Sequence, residues 1–264
     1  MTVSGLADRL AADGLLTAER GEVVERMAAL GPAVAARSEE YDRTASFPTE
    51  NWADFAEHGL LGICIPRDDG GLGADFVGYA LAAEELGRHC TATALTFNMH
   101  VATTLLTGQI ADDMSMGDDE RRLLHERRTA LRRGVIDDHH IHRQPFSEGA
   151  AAGATTGFAT KAVPVDGGYR VTGRKIFASL SSAADINNVV CVVEGDPRIR
   201  LLGVPADADG IVLEGTWDPL GMRATDSRNL VMTDVFVPAE HEWIPPGMFD
   251  QAAQRWPYFY MTLS

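Results

Sequence analysis

The sequence predicts an α+β protein in which an N-terminal α-helical bundle is followed by an antiparallel β-barrel or sandwich domain. Two observations carry this expectation. Apolar residues recur with a helical period up to about residue 140 and with a strand-like pattern beyond about residue 155. Between two apolar runs stands Asp166-Gly167-Gly168, a hairpin signal, because glycine tolerates the positive φ of tight hairpin turns. The resulting division is a helical domain over residues 1–140, a β domain over 141–243 and the start of a further helical domain over 244–264.

Each element follows from local chemistry. Val23, Met27, Leu30 and Val34 form one face of a first helix, which Gly31-Pro32 is expected to kink or restart. Pro48 suits the first turn of a second helix, with Trp52, Phe55 and Ala56 on its buried face and Gly59 as its stop. Asp75 caps a third helix reaching about Gly87, with Phe76, Ala80 and Ala83 on one side. The stretch from Thr91 to Thr107 is nearly apolar all round, the pattern of a helix at the centre of a bundle. From Asp118 to Arg133 a helix starts on acids and ends on arginines before Gly134, and its arginines are read as a solvated face. Strands are expected at 156–165, 169–179, 188–194, 199–204, 211–217 and 228–237. Both faces of the last are read as covered, because its valines alternate with Leu230, Met232 and Phe236. A helix resumes near Met248.

Composition narrows the function. The 264 residues carry a formal charge of -15, from 38 acids against 23 bases, which argues against nucleic acid as the main partner. Cys64, Cys90 and Cys191 are odd in number and widely spaced, so neither a disulfide framework nor a zinc site is expected, and a reducing, cytoplasmic setting fits. No secretory leader and no membrane span are read in the sequence.

Two local motifs are set aside. The run GICIPRDDGGLGADF lacks the third glycine of a dinucleotide fingerprint and the G-K-[ST] of a phosphate loop, so it reads as a packed turn between helices. The cluster DDHHIH at 137–142 offers only short-range ligand spacing and reads as a polar lead-in rather than a metal site.

Four segments, in order, resemble the acyl-CoA dehydrogenase family: GLLGICIPRDDGGLG, SEGAAAGATTGFATKA (147–162), GYRVTGRKIFAS (168–179) and LGMRATDSRNLVMTDVFVP. The resemblance covers roughly residues 20–264 and implies FAD as cofactor. By that resemblance the second and third segments form the wall on which the flavin lies. Ser147 matches the hydroxyl residue at the flavin pyrimidine edge, Ser179 the hydroxyl near N5, and Phe177 the aromatic that packs on the ring. Phe146, immediately before the second segment, and Ala178, within the third, join the cofactor-binding set. Gly149, Gly153 and Ala154 depart from the family's proline and Ser-Asp pair. Gly153 is then both a cofactor-binding and a substrate-binding candidate, through its backbone N–H.

The implied reaction is α,β-dehydrogenation of an acyl-CoA thioester, with electrons passed to an electron-transfer flavoprotein. The resemblance also implies a C-terminal four-helix domain that carries the glutamate base and the oligomer contacts. The chain is expected to stop before it, so no catalytic residue is assigned here. The isolated chain is expected to be inactive, and to act as a homo-oligomer or beside a chain that completes it. Two alternatives stay open: a flavin-dependent monooxygenase of the same fold, and a non-catalytic subunit. The apolar end WPYFYMTLS is read as favouring partner completion.

Overall fold

The structure, a computed structural model, describes residues 14–149 and 158–255. Helix α1 (Ala18–Thr44) opens on Thr17, whose hydroxyl accepts the Arg20 N–H at 3.3 Å. Its stripe of Val23, Met27, Leu30 and Val34 is buried as the spacing predicts. Contrary to the expected kink or restart, the helix runs on through Pro32. The proline ring faces solvent, where water can serve the carbonyl one turn back, while Gly31 packs against His89.

Helix α2 (Thr49–Glu57) buries Trp52 and Phe55 and gives way to Gly59 at φ 70°. The glycine-rich run then makes two short 3₁₀ turns. Gly71 sits so near the Ile65 carbonyl oxygen that a Cβ would lie 2.1 Å from it. It is a packed turn. Helix α3 (Phe76–Gly87) is capped by Asp75, which accepts the Gly78 N–H at 2.8 Å and is itself held by Arg20. The helix buries Gly78, Tyr79, Ala82 and Leu86, leaving Phe76 and Ala80 exposed.

Helix α4 (Thr91–Leu105) is buried over most of its surface, as its all-round apolar pattern predicts. It passes into a π turn, Leu106–Ile110, with Gly108 off helical dihedrals at φ −101°, ψ −109°. Helix α5 (Asp118–Asp137) continues past Gly134, so that glycine is not its stop. Gly134 is needed for packing instead, since a Cβ there would lie 2.8 Å from His140 Nδ1. Nor are the helix's arginines all solvated: Arg127 pairs with Glu242, Arg128 with Asp112 and Arg132 with Asp69.

The second half is one sheet of seven strands: β1 (His142–Arg143), β2 (Lys161–Val165), β3 (Gly168–Ala178), β4 (Ile186–Val193), β5 (Asp196–Pro205), β6 (Ile211–Glu214) and β7 (Arg228–Pro238). Its order is β1-β4-β2-β3-β7-β6, with β5 paired to β4. The expected hairpin is present as β2–β3, turning at Asp166 and Gly167 (φ 77°). The sheet is mixed rather than antiparallel, because β1 and β2 both run parallel to β4. Such pairings require long connections, and here the pair His142↔Ile186 is reached only after the β2–β3 hairpin has been made.

Only one face of β7 is covered. Thr233 and Asp234 form a bulge, with Asp234 at φ 51° and its N–H on Thr172 Oγ1 at 3.0 Å. The extra residue switches parity, so Leu230 and Met232 share the buried face with Val235 and Val237, and Phe236 is turned outward.

Adjacent residues of β4 and β5 point into two cores. Val190 and Leu201 join the helical core, whereas Val189 and Leu202 join a core on the opposite face of the sheet. Helix α6 (Met248–Arg255) adds Met248, Phe249 and Ala252 to the first. Among the described residues no helix is long and apolar enough to cross a membrane.

Candidate functional site

The third segment ends in an irregular piece of β3. Between Lys175 and Ala178 the pairing to β7 shifts by one residue, and Phe177 adopts φ 54°. A bulge here re-aims the side chain: Lys175 and Ala178 point into the sheet, while Phe177 stands out 60% exposed. Its ring meets Trp217 edge-on, with centroids 6.1 Å apart. Trp217 is fixed in turn by its indole N–H on the Met222 carbonyl at 3.0 Å.

These two rings form one side of a cleft. Phe146, Ser147 and Gln144 line it from the loop after β1, Leu95 and Met99 from α4, and Ser179, Thr225 and Ser227 from the turns flanking β3 and β7. Its volume of about 290 Å³ lies at the low end for a pocket that encloses a whole ligand, and suits one planar ring system.

Four of the six sequence-predicted residues, Phe146, Ser147, Phe177 and Ser179, therefore meet around one space. Ala178 does not line it; its side chain is 1% exposed among Ala162, Val171 and Val189 in the sheet core. Gly153 lies outside the described residues. Phe146 packs edge-to-face on Phe249 of α6 at 5.5 Å. The Ser147 carbonyl accepts the Ile176 N–H at 2.8 Å, which ties the loop to β3.

Glu148 anchors the same loop. Its carboxylate accepts Lys175 Nζ at 2.5 Å, the Thr160 N–H at 3.0 Å and hydroxyl at 2.5 Å, and the Ala159 N–H at 2.5 Å. Lys175 also donates to the Val190 carbonyl at 2.7 Å and lies over the Phe158 ring. Burial works to raise the Glu148 pKa, but the bonds from Lys175 and Thr160 outweigh it and hold the carboxylate below its ordinary value.

Behind the cleft lies a buried polar group. Asn188 donates to Thr103 Oγ1 at 2.9 Å and accepts the Trp243 indole N–H at 2.8 Å. The His142 N–H donates to His100 Nδ1 at 3.1 Å, which leaves His100 Nε2 to donate to the Leu61 carbonyl at 3.0 Å. Burial pushes the His100 pKa down to about 4 and that of His142 to about 3, so both are neutral near pH 7. Among the described residues no group of three His, Cys, Asp or Glu side chains could hold a metal ion.

Gln144 reaches this network and the cleft at once. Its Nε2 donates to Thr103 Oγ1 at 2.9 Å, and its Oε1 is buried without a partner. Gln144, Trp217, Thr225 and Ser227 are site residues that sequence reasoning missed. Thr225 and Ser227 fall within the fourth quoted segment, but nothing in their spacing says that they return to Ser179.

The family profile for the acyl-CoA dehydrogenase N-terminal domain matches residues 17–114, and that for the middle domain of the same family matches residues 146–235. The chain belongs to the acyl-CoA dehydrogenase family. It is 30% identical over 210 residues to a probable acyl-CoA dehydrogenase, YngJ, of Bacillus subtilis, a match covering 78% of this chain and 52% of that protein. It is 28% identical over 225 residues to the L-evernosamine nitrososynthase of a Micromonospora species, covering 82% of this chain and 50% of that one. Among solved structures, KijD3 in complex with FMN and a dTDP-linked amino keto sugar aligns with a TM-score of 0.76 at 25% identity, covering 88% of this chain and 55% of that one. The chain spans about half the length of the curated relatives it matches.

Proposed function

We propose that this acyl-CoA dehydrogenase-family chain supplies the flavin-facing wall of an oxidoreductase that introduces an α,β double bond into an acyl-CoA thioester. The observation that carries the reading is the cleft itself. Phe177, Ser147, Ser179 and Phe146 converge there, with Phe177 presented outward by a bulge instead of being buried in the sheet.

The residues fit a flavin. The outward rings of Phe177 and Trp217 and the apolar floor of Leu95 and Met99 suit a planar ring system. The partnerless Gln144 Oε1 suits the imide N–H that a flavin presents at its pyrimidine edge. KijD3 in the matched structure holds FMN, whereas the dehydrogenase branch of the family points to FAD. A bound flavin would supply the two-electron acceptor for the hydrogen leaving the β-carbon. This chain's own residues would hold and orient the ring: Ser147 and Gln144 at its polar edge, Ser179 beside its centre, and Phe177 excluding water from its side.

No carboxylate or imidazole lines the described cleft. Removal of the α-proton therefore requires a base from elsewhere, and we propose that the described residues alone give no turnover. Electron-transfer flavoprotein is the proposed acceptor of the reducing equivalents.

A second reading has support of its own. The similarity to a nitrososynthase and to KijD3, together with a cleft free of carboxylates, favours flavin-dependent oxygen chemistry on an amino sugar nucleotide. The visible absorption spectrum of the purified chain, recorded with FAD or FMN and then with an acyl-CoA or a dTDP-amino sugar, separates the two. A flavin band perturbed by the acyl-CoA supports dehydrogenation; perturbation by the sugar nucleotide alone supports the second reading. A protein that retains neither flavin defeats both.

A further inference from the structure

The hydroxyl of Ser179 does not stand alone. It lies 2.8 Å from Ser227 Oγ, which lies 2.7 Å from Thr225 Oγ1, which lies 2.9 Å from the Met222 carbonyl oxygen. Thr225 and Ser227 are 1% and 5% exposed, so water is kept from the inner part of this chain.

Its direction can be read. Each hydroxyl has one proton to give, and a carbonyl has none. Met222 must accept, so the Thr225 proton is committed to it. Ser227 must then donate to Thr225, and Ser179 must donate to Ser227. The proton of Ser179 thus points away from the cleft, and what Ser179 offers the cleft is a lone pair. Nearby backbone donors do not reverse this. The N–H of Ser179 bonds the Phe177 carbonyl at 2.9 Å, that of Leu180 the Thr225 carbonyl at 3.0 Å, and that of Ser181 the Asp226 carbonyl at 3.0 Å.

We infer that Ser227, backed by Thr225, is a positioning residue that fixes Ser179 as a hydrogen-bond acceptor toward the cleft, so that the site prefers the two-electron-reduced flavin, which carries a hydrogen on N5, over the oxidised flavin, which does not. The inference rests on the flavin reading above and on the placement of Ser179 beside N5. It assigns to Ser227 and Thr225 roles that act through the Ser179 hydroxyl. A neutral wall would bind both redox forms alike, and a wall with a free Ser179 proton would favour the oxidised one.

The test is the two-electron midpoint potential of bound FMN or FAD, measured anaerobically against reference dyes, in the unaltered chain and in Ser227→Ala and Thr225→Val. In Ser227→Ala the Ser179 proton loses its acceptor and is free to turn to the flavin. In Thr225→Val the Ser227 proton turns to Ser179, which releases the Ser179 proton toward the cleft. Both variants should lower the preference for reduced flavin about tenfold, the scale of one hydrogen bond, which is a fall of about 30 mV for a two-electron couple.

Potentials within a few millivolts of the unaltered chain in both variants, with flavin bound, overturn the inference while leaving the flavin reading intact. Should Ser227→Ala fail to fold by circular dichroism, the near-isosteric Thr225→Val decides. Should both fail, the unaltered chain decides, since reduced flavin binding no tighter than oxidised flavin defeats the inference. A chain that binds flavin in neither state overturns the flavin reading, and this inference falls with it.

Discussion

Phe177 is held at φ 54° with its ring 60% exposed, an arrangement that packing within the sheet does nothing to reward. Its replacement by alanine should therefore cost less than about 1 kcal/mol in a urea melt, against the ~3–5 kcal/mol typical of a buried phenylalanine. Flavin affinity, read by titration, should fall about tenfold, the worth of one aromatic contact. A loss of stability without loss of affinity would make Phe177 a structural residue after all. At the same scale, His100 and His142 govern acid stability. Their folded pKa values, about 4 and about 3, lie below the unfolded value, so the stability they contribute is complete above about pH 6.5. It is lost as pH falls toward those folded values. At pH 5 each should cost about 2 kcal/mol. Urea midpoints that stay level from pH 7 to pH 5 would contradict the neutral, buried pair. The cleft residues named from the sequence, Phe146, Ser147, Phe177 and Ser179, sit in or directly beside two local segments. Gln144 and Ser227 acquire their roles from partners 41 and 48 residues away, which no spacing rule reaches, and Thr225 acquires its role through Ser227.

Between residues and the whole stand the elements, and their boundaries followed from caps and glycines well: Asp75, Gly59 and the Asp166-Gly167 turn are where local chemistry puts them. What failed was the assignment of faces. Asp234 adds one residue to β7 and inverts the alternation after it, a change that composition cannot signal. The arginines of α5 look solvated because their partners are distant in sequence: Arg127 meets Glu242, 115 residues on. Glu242 is 4% exposed, and it also accepts Arg200 at 2.8 Å and the Tyr169 hydroxyl at 3.1 Å, so one carboxylate joins α5, β5 and β3. Glu242→Gln should destabilise the fold by about 3 kcal/mol, because the largely buried Arg127 guanidinium loses its counter-charge while Arg200 keeps Asp196 at 2.5 Å. Calorimetry on that variant is the check, and an unchanged Tm would mean that water already compensates Arg127.

At the scale of the molecule, helices and sheet share a core. Leu180, Ile186, Val190 and Leu201 from the second half pack in the same cluster as Phe55, Phe97 and Leu105 from the first, and α6 closes it with Phe249. Two halves that bury one another's apolar surface are expected to unfold together, so the calorimetric and van't Hoff enthalpies should agree. Two resolved transitions would instead make the halves independent. The change from helical to strand-like pattern near residue 140 was legible; the shared core was not, because it depends on which face each element turns to the other. Trp217, pinned by its indole N–H and set edge-on to Phe177 in the cleft wall, has one more consequence. An indole emits light at wavelengths that a flavin absorbs, so a ring seated against it drains that emission. A flavin seated in the proposed cleft should therefore dim the emission of Trp217, a change that fluorescence titration reads.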